Sequence, residues 1–264
     1  MMLRVDPSIV SRNFSAAACD YDCWARPQLA IAESLCGMIP SSPEPDSILD
    51  AGCGTGFLTQ NLRERFPDAH IHGMDLAPGM IEFCRERFGH DERTSFTVAD
   101  ALKWNPEGRF DLLASNCCVQ WLGKPEVWLE NFAAWLHPGG RIAVSILLPG
   151  SLYELRESYR AACGDPLDAL ELFNEETHRA AWNAAALNCI AARSEIHKFE
   201  FPAPKDVLLY FKKIGVTLSR QPAHAPLRHG QIKRLMQHYA DHFTNEHGQA
   251  VCTYAVLYAL LEKT

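Results

Sequence analysis

Three aspartates, Asp50, Asp75 and Asp100, each close a short apolar run, and a glycine-rich stretch follows the first of them. In Asp50-Ala-Gly-Cys-Gly-Thr-Gly56, the residues Gly52, Gly54 and Gly56 allow positive φ and close backbone approach around Cys53. Carboxylates at strand ends accept hydrogen bonds from ribose hydroxyls or an amino group, and glycine turns admit a nucleotide-like ligand to the backbone. A second set lies in Ser115-Asn-Cys-Cys-Val-Gln-Trp121, where Asn116 and Gln120 offer donors and acceptors and Trp121 an apolar wall. These residue types make a binding frame. No catalytic triad is evident. His238, His242 and His247 lack a convincing third ligand, so no metal is expected.

The elements that must hold these residues are legible in outline. Pro43 and Pro45 keep any helix from running into the strand at Ile48 and Leu49, and a helical pattern starts at Phe57. A second strand, 70–75, ends in Asp75 about 20 residues after the glycine turn, the spacing of a nucleotide-binding α/β unit. Pro78 opens a helix through Phe88, 94–100 reads as a third strand and 109–116 as a fourth. A helix over 128–136 and the turn His137-Pro-Gly-Gly140 feed a fifth strand, 141–147. Five strand-helix units in a row predict a doubly wound parallel sheet. Parallel strands bring their C-terminal ends to one edge, where the three aspartates then meet.

Residues 8–38 carry apolar side chains at helical spacing and predict one or two helices before the first strand. After Gly150 the pattern changes: 151–163, 174–192, 205–214 and 231–243 read as helices, 196–201 and 250–260 as strands, and 217–229 as a loop with Pro222 and Pro226. The chain is read as one domain, 1–264. Within it, N-terminal helices (1–40) precede a ligand-binding core (41–149), a helical cap with a sixth strand (150–250) and a last strand (250–264).

Composition narrows the function classes. With 264 residues, 47% apolar and 22% charged, the chain is long enough to bury a large core. A net charge of −7 argues against a general nucleic-acid binder. No apolar run approaches the ~20 residues of a membrane span, and the N-terminus lacks a signal-peptide pattern, so a cytoplasmic protein without membrane partners is expected. The ten cysteines are scattered without a C-x-x-C pair, as suits reduced thiols.

The string 50–56 resembles motif I of the class I S-adenosylmethionine (SAM) methyltransferases, whose third glycine comes one residue earlier than in a dinucleotide fingerprint. That resemblance implies a Rossmann-like seven-stranded sheet, mostly parallel with one antiparallel strand, plus a helical cap, and SAM as cofactor. It implies cofactor contacts from Asp50, Gly52, Cys53, Gly54, Gly56, Asp75, Leu76, Met80, Asp100, Ala101 and Asn116, with Asp75 on the ribose and Asp100 at the adenine amino group. The segment 14–22 resembles the leading segment of small-molecule methyltransferases and nominates Tyr21 as a cover over the site.

A narrower set, Ser115-Asn-x-x-Val-Gln-Trp121, Gly150-Ser-Leu-x-Glu-Leu155 and Lys212-x-Ile-Gly215, resembles the malonyl-acyl-carrier-protein O-methyltransferases of biotin synthesis from about residue 12 to 262. The resemblance implies methylation of the free malonyl carboxylate on acyl carrier protein or coenzyme A. A carboxylate is ionised at pH 7, so positioning replaces acid-base machinery and no catalytic residue is expected. Substrate contacts are expected from Tyr21, Asn116, Gln120, Trp121 and Arg156, and docking of an anionic carrier protein on Lys212, Lys213, Arg220, Arg228, Lys233 and Arg234. A monomer is expected. A methyltransferase for another small acid or a quinone-type ring, a SAM-binding partner without catalysis and a dinucleotide oxidoreductase stay open.

Overall fold

A computed structural model describes residues 6–167, 170–216 and 227–264. Two helices lead, α1 (Pro7–Trp24) and α2 (Arg26–Met38). Pro7 and the Asp6 carboxylate, which accepts from Ser8 N, start the first, and Pro27 sits in the first turn of the second.

The sheet begins with β1 (Ser47–Ala51), β2 (His70–Asp75), β3 (Thr94–Val98), β4 (Phe110–Asn116) and β5 (Leu136–Leu147). Between them run α3 (Phe57–Arg65), α4 (Pro78–Phe88) and α5 (Pro125–Ala134). A short strand β6 (Pro149–Leu152) leads to α6 (Tyr153–Cys163), α7 (Glu175–Ala184), β7 (Leu187–Phe201), α8 (Pro204–Lys213), α9 (His229–His242) and β8 (Ala250–Lys263). The order β3-β2-β1-β4-β5-β8-β7 makes a seven-stranded sheet. Strands β1 to β5 pair in parallel, and β8 runs antiparallel to both β5 and β7, so it is the one reversed strand, as expected.

Both faces of the sheet are covered, which explains why its central strands read as continuous apolar runs. Successive residues leave for opposite cores: Ile48, Leu112 and Tyr258 join one with α2, α6, α8 and α9, whereas Leu49, Leu113 and Leu257 join another built on Trp128, Phe132 and Trp182. Among the described residues no helix is long and apolar enough to cross a membrane, and no group of three or more His, Cys, Asp or Glu side chains is placed to hold a metal.

Several element boundaries differ from the sequence expectation: β5 begins at Leu136 and takes in the expected turn 137–140, α5 spans Pro125–Ala134, and a short strand Pro149–Leu152 overlaps the start of the expected helix 151–163. The helix expected over 174–192 ends at Ala184, the chain turns through Ala186 at φ 53, and residues from Leu187 pair with β8. An alanine-rich run reads as helix locally, but the free edge of β8 supplies a ladder that overrides that preference. The third strand stops at Val98, so Asp100 stands in the turn beyond it. The last strand continues to Lys263, three residues past its expected end at Leu260.

Candidate active site

The glycine turn is shaped by what lies on each side of it. Gly52 N and Cys53 N both donate to Met74 O at 2.8 and 3.0 Å, pinning the end of β1 to β2. Gly52 has φ +74, and a Cβ there would stand 2.2 Å from Cys118 Sγ at the exit of β4. Gly54 has φ +57, yet a Cβ there would meet nothing within 4 Å. One glycine is therefore demanded by packing and conformation, whereas the other borders open space. Gly56 starts α3 and faces Phe88 instead of the cleft.

That open space is a cleft of about 820 Å³ at the C-terminal edge of the sheet. Gly52, Gly54, Asp75, Leu76, Met80, Asp100 and Ala101 line one bank, and Asn116, Cys117, Cys118, Trp121 and Leu122 the other. The Asp75 carboxylate is held by two turns: Gly54 N of the glycine turn donates to Oδ2 at 2.9 Å and Ala77 N of its own turn to Oδ1 at 2.8 Å. Burial pushes its pKa up, against the pull of those backbone donors. Asp100 accepts from Leu102 N at 3.0 Å and lies 3.5 Å from Lys103 Nζ.

Helix α1 roofs the cleft with Pro7, Val10, Phe14 and Tyr21. It is tied down by Ser11 Oγ donating to Leu76 O (2.9 Å), Gly79 N donating to Ser15 Oγ (3.2 Å) and an Arg87–Asp22 ion pair. Phe14 meets Trp121 edge-on with centroids 5.6 Å apart. Tyr21 also borders a smaller chamber of about 340 Å³ behind the glycine turn, shared with Gln28, Asp50, Cys53, Thr55 and Asn116.

Asp50 is fully buried there. Thr59 Oγ1 donates to its Oδ2 at 2.6 Å, and Oδ1 has no partner. Burial first, and the nearby Asp75 charge, push its carboxyl up to about 7. On the far bank Asn116 Nδ2 donates to Gln28 O at 3.0 Å and Ser145 Oγ donates to Asn116 Oδ1 at 2.7 Å. Burial pushes the Cys117 thiol up to about 12 and also raises Cys118 and the Tyr21 phenol, so all three keep their protons near neutral pH. The cleft thus offers acceptors, apolar walls and left-handed backbone, and no poised nucleophile among these groups.

Asp75, Leu76, Met80, Asp100, Ala101, Asn116, Tyr21 and Trp121 come together as expected. Asp50 and Cys53 border the chamber behind the cleft. Gln120 is not on the wall of either space: its Nε2 turns back to Cys117 O at 2.6 Å within the short helical turn Val119–Trp121. Arg156 is on α6, where it donates to Leu170 O at 3.2 Å, and it does not line the cleft. Among the expected docking residues, Lys212, Arg228, Lys233 and Arg234 are exposed on α8 and along α9 and its N-cap. Lys213 pairs with Asp20 of α1 at 2.6 Å, Arg234 donates to Ala162 O at 3.0 Å, and Arg220 lies outside the described residues. The sequence reading missed Gln28, Cys117 and Cys118 as wall residues. The two cysteines directly follow Asn116 at a strand exit, a signal that was available, whereas nothing local marks Gln28.

The pattern fits SAM on features of this chain: an unpartnered buried carboxylate oxygen on Asp50, a Gly54 open to the cleft, and two further carboxylates facing a partly apolar space suit a ligand with hydroxyls, amino groups and positive charge. A methyltransferase-domain family model matches residues 48–140. A malonyl-[acyl-carrier protein] O-methyltransferase of Ilyobacter polytropus is 28% identical over 98% of this chain and 99% of its own length. One from Hahella chejuensis is 38% identical over 61% of this chain and 57% of its own. Among solved structures, the YcgJ protein of Bacillus subtilis superposes with a TM-score of 0.58 at 16% identity, over 89% of this chain and 97% of that one. Geranyl diphosphate C-methyltransferase of Streptomyces coelicolor, crystallised with S-adenosyl-L-homocysteine, reaches 0.54 at 17% identity, over 89% and 79%. The chain thus has the fold of the class I methyltransferases and carries a methyltransferase domain over residues 48–140, and that domain implies SAM as its cofactor.

Proposed function

We propose that this enzyme methylates the free carboxylate of a malonyl thioester carried on acyl carrier protein or coenzyme A, an early step of biotin (pimeloyl) synthesis. The observation that carries the reading is similarity along nearly the whole chain, cap included, to relatives named for malonyl-acyl-carrier-protein methylation. The cleft agrees with it. A malonate carboxylate is already ionised at neutral pH, so walls without a poised base cost the reaction nothing.

When bound, SAM supplies a methyl group activated by its sulfonium. Asp75 and Asp100 are assigned to its hydroxyl and amino groups, Asp50 to the cationic end in the rear chamber, and Leu76, Met80 and Ala101 to its apolar faces. Phe14, Tyr21 and Trp121 exclude water above the acceptor, which strengthens each polar contact below them. Asn116, fixed between Gln28 and Ser145, orients the acceptor at the β4 exit. The exposed Lys212, Arg228, Lys233 and Arg234 are assigned to an acidic carrier protein. The proposed catalytic unit is a monomer.

Incubation with SAM and malonyl-acyl carrier protein is expected to yield the methyl ester and S-adenosylhomocysteine, detected by mass spectrometry. Folded protein that binds SAM and leaves every malonyl thioester unmethylated would sink the proposal. Growth of a biotin auxotroph lacking this step, restored by the chain, separates malonyl transfer from methylation of another acid.

A further inference from the structure

A buried polar chain runs from the cap to the cleft wall through residues that do not touch the main cleft. Tyr210 on α8 and Tyr254 on β8 bring their phenol oxygens within 2.7 Å of each other. The Gln28 side-chain amide on α2 lies against Tyr210 Oη, with Nε2 at 2.9 Å and Oε1 at 3.1 Å. The backbone carbonyl of the same Gln28 accepts from Asn116 Nδ2 at 3.0 Å. Beyond Asn116 the chain continues through Ser145 Oγ, which accepts from Cys117 N at 2.9 Å. Tyr210 and Tyr254 are essentially solvent-free, and burial raises both phenols, so they remain protonated donors.

We propose that Tyr210 is a positioning residue: by holding the Gln28 amide it fixes the Gln28 carbonyl, and through it Asn116 and the wall of the cleft. Stability alone gives no reason for these groups. Replacing a matched set of buried hydrogen-bonding partners by apolar side chains of the same shape is close to neutral, so phenylalanines would fill the same core. What a closed polar set adds is one fixed arrangement of α2 against α8 and β8. The arrangement matters where α2 meets Asn116, because the next residue, Cys117, holds φ 48, a left-handed backbone that a side chain resists. Its N–H on Ser145 and the Asn116 amide on Gln28 are two of the hydrogen bonds that brace this exit, beside Gln120 Nε2 on Cys117 O and Ser145 Oγ on Asn116 Oδ1.

The positioning role rests on the proposed function only for its activity assay; ligand binding tests it independently. Binding of S-adenosylhomocysteine is measured by calorimetry on the full chain, well below the melting temperature, for wild type, Tyr210→Phe, Tyr254→Phe, Gln28→Met, Asn116→Ala and the Tyr210→Phe/Asn116→Ala pair. Tyr210→Phe is expected to weaken binding about tenfold, and Gln28→Met to reproduce it, as one lost organising hydrogen bond would. Tyr254→Phe, which leaves the Tyr210–Gln28 contact in place, should cost less than about threefold. Tyr210→Phe in the Asn116→Ala background should add no further loss. Unchanged affinity in a folded Tyr210→Phe protein, or additive losses in the double variant, overturns the proposal. Should Tyr210→Phe not fold, Gln28→Met decides through its pair with Asn116→Ala: because Gln28 also borders the chamber, only a non-additive loss supports the proposal and an additive one overturns it. If malonyl-acyl carrier protein is inert with wild type while this binding pattern holds, the acceptor is wrong and the positioning role stands. If it is methylated while the binding pattern fails, the acceptor is right and the positioning role falls.

Discussion

The two banks of the cleft are organised on different principles. On the β1–β3 bank each outer carboxylate accepts from the backbone of its own turn, Asp75 from Ala77 N and Asp100 from Leu102 N, two residues away in each case, and Asp75 also accepts from Gly54 N of the neighbouring strand's turn. On the β4 bank Asn116 is fixed by partners 88 and 29 residues distant. The first bank assembles wherever its strands do. The second exists only when α2, β4 and β5 are all in register, so a change remote from the cleft reaches it more readily.

The sharpest test of this contrast lies within the glycine turn. Gly52→Ala meets both a left-handed φ and Cys118, so it is expected to cost more than about 3 kcal/mol of stability, read as a fall in melting temperature. Gly54→Ala meets only the φ penalty of about 1–2 kcal/mol, and its larger effect should be on cofactor binding, since its methyl would project into open space. Equal stability losses for the two would erase the distinction between a packing glycine and a cleft glycine. Next in size, Asp75→Asn should weaken S-adenosylhomocysteine binding by about 2 kcal/mol with little loss of stability, because a charged acceptor is removed from a turn that its neighbours still close.

On the other bank, Ser145→Ala strips Cys117 N and Asn116 Oδ1 of a partner together, an expected cost of about 1–3 kcal/mol shared between stability and acceptor turnover. A pH dependence of similar size tests the chamber behind the turn. Asp50 holds its proton up to about 7 because of burial, whereas an unfolded aspartate titrates near 3.9. Between these values the folded state binds more protons than the unfolded one. The contribution of Asp50 is therefore greatest below pH 3.9 and is lost as pH rises towards 7, at up to about 1.4 kcal/mol per pH unit. Denaturant titrations of the ligand-free protein at pH 5 and 8 should show that fall, and Asp50→Asn should flatten it. A wild-type profile that rises over the same range would contradict the burial argument.

The same contrast decides what could be read from the chain alone. Gly52, Gly54, Asp75 and Asp100 were legible because their geometry is local: a turn, a strand end and a spacing between them. The parallel five-strand part followed from repeated strand-helix units, whereas the seven-stranded total with one reversed strand came from the resemblance to class I methyltransferases. The second bank was legible only as a stretch, 115–121. Within it Gln120 Nε2 turns to the backbone, because whether an amide faces ligand or backbone depends on the curl of a three-residue helical turn. Arg156 lies off the cleft for a related reason: position on α6 is visible in the periodicity, but the way α6 packs on α9 and β8 is not. Gln28 carries no local mark, since its importance comes from Tyr210, 182 residues away. The 187–192 segment shows the limit at the level of backbone, where a helical composition yields to an available strand edge.

One feature of the cleft sets the order of events. Among the described residues, no lysine, arginine or histidine lines the cleft or the chamber behind it, while Asp50, Asp75 and Asp100 do. An anionic acceptor approaching these walls by themselves meets carboxyl groups, neutral polar groups, apolar surface and protonated thiols, and no cationic side chain. The positive charge of the methyl donor is then what makes the site hospitable to a carboxylate, and its loss on transfer helps to expel the neutral ester. Kinetically this predicts a compulsory sequence, donor first and acceptor second, with S-adenosylhomocysteine competing against the donor and not against the acid.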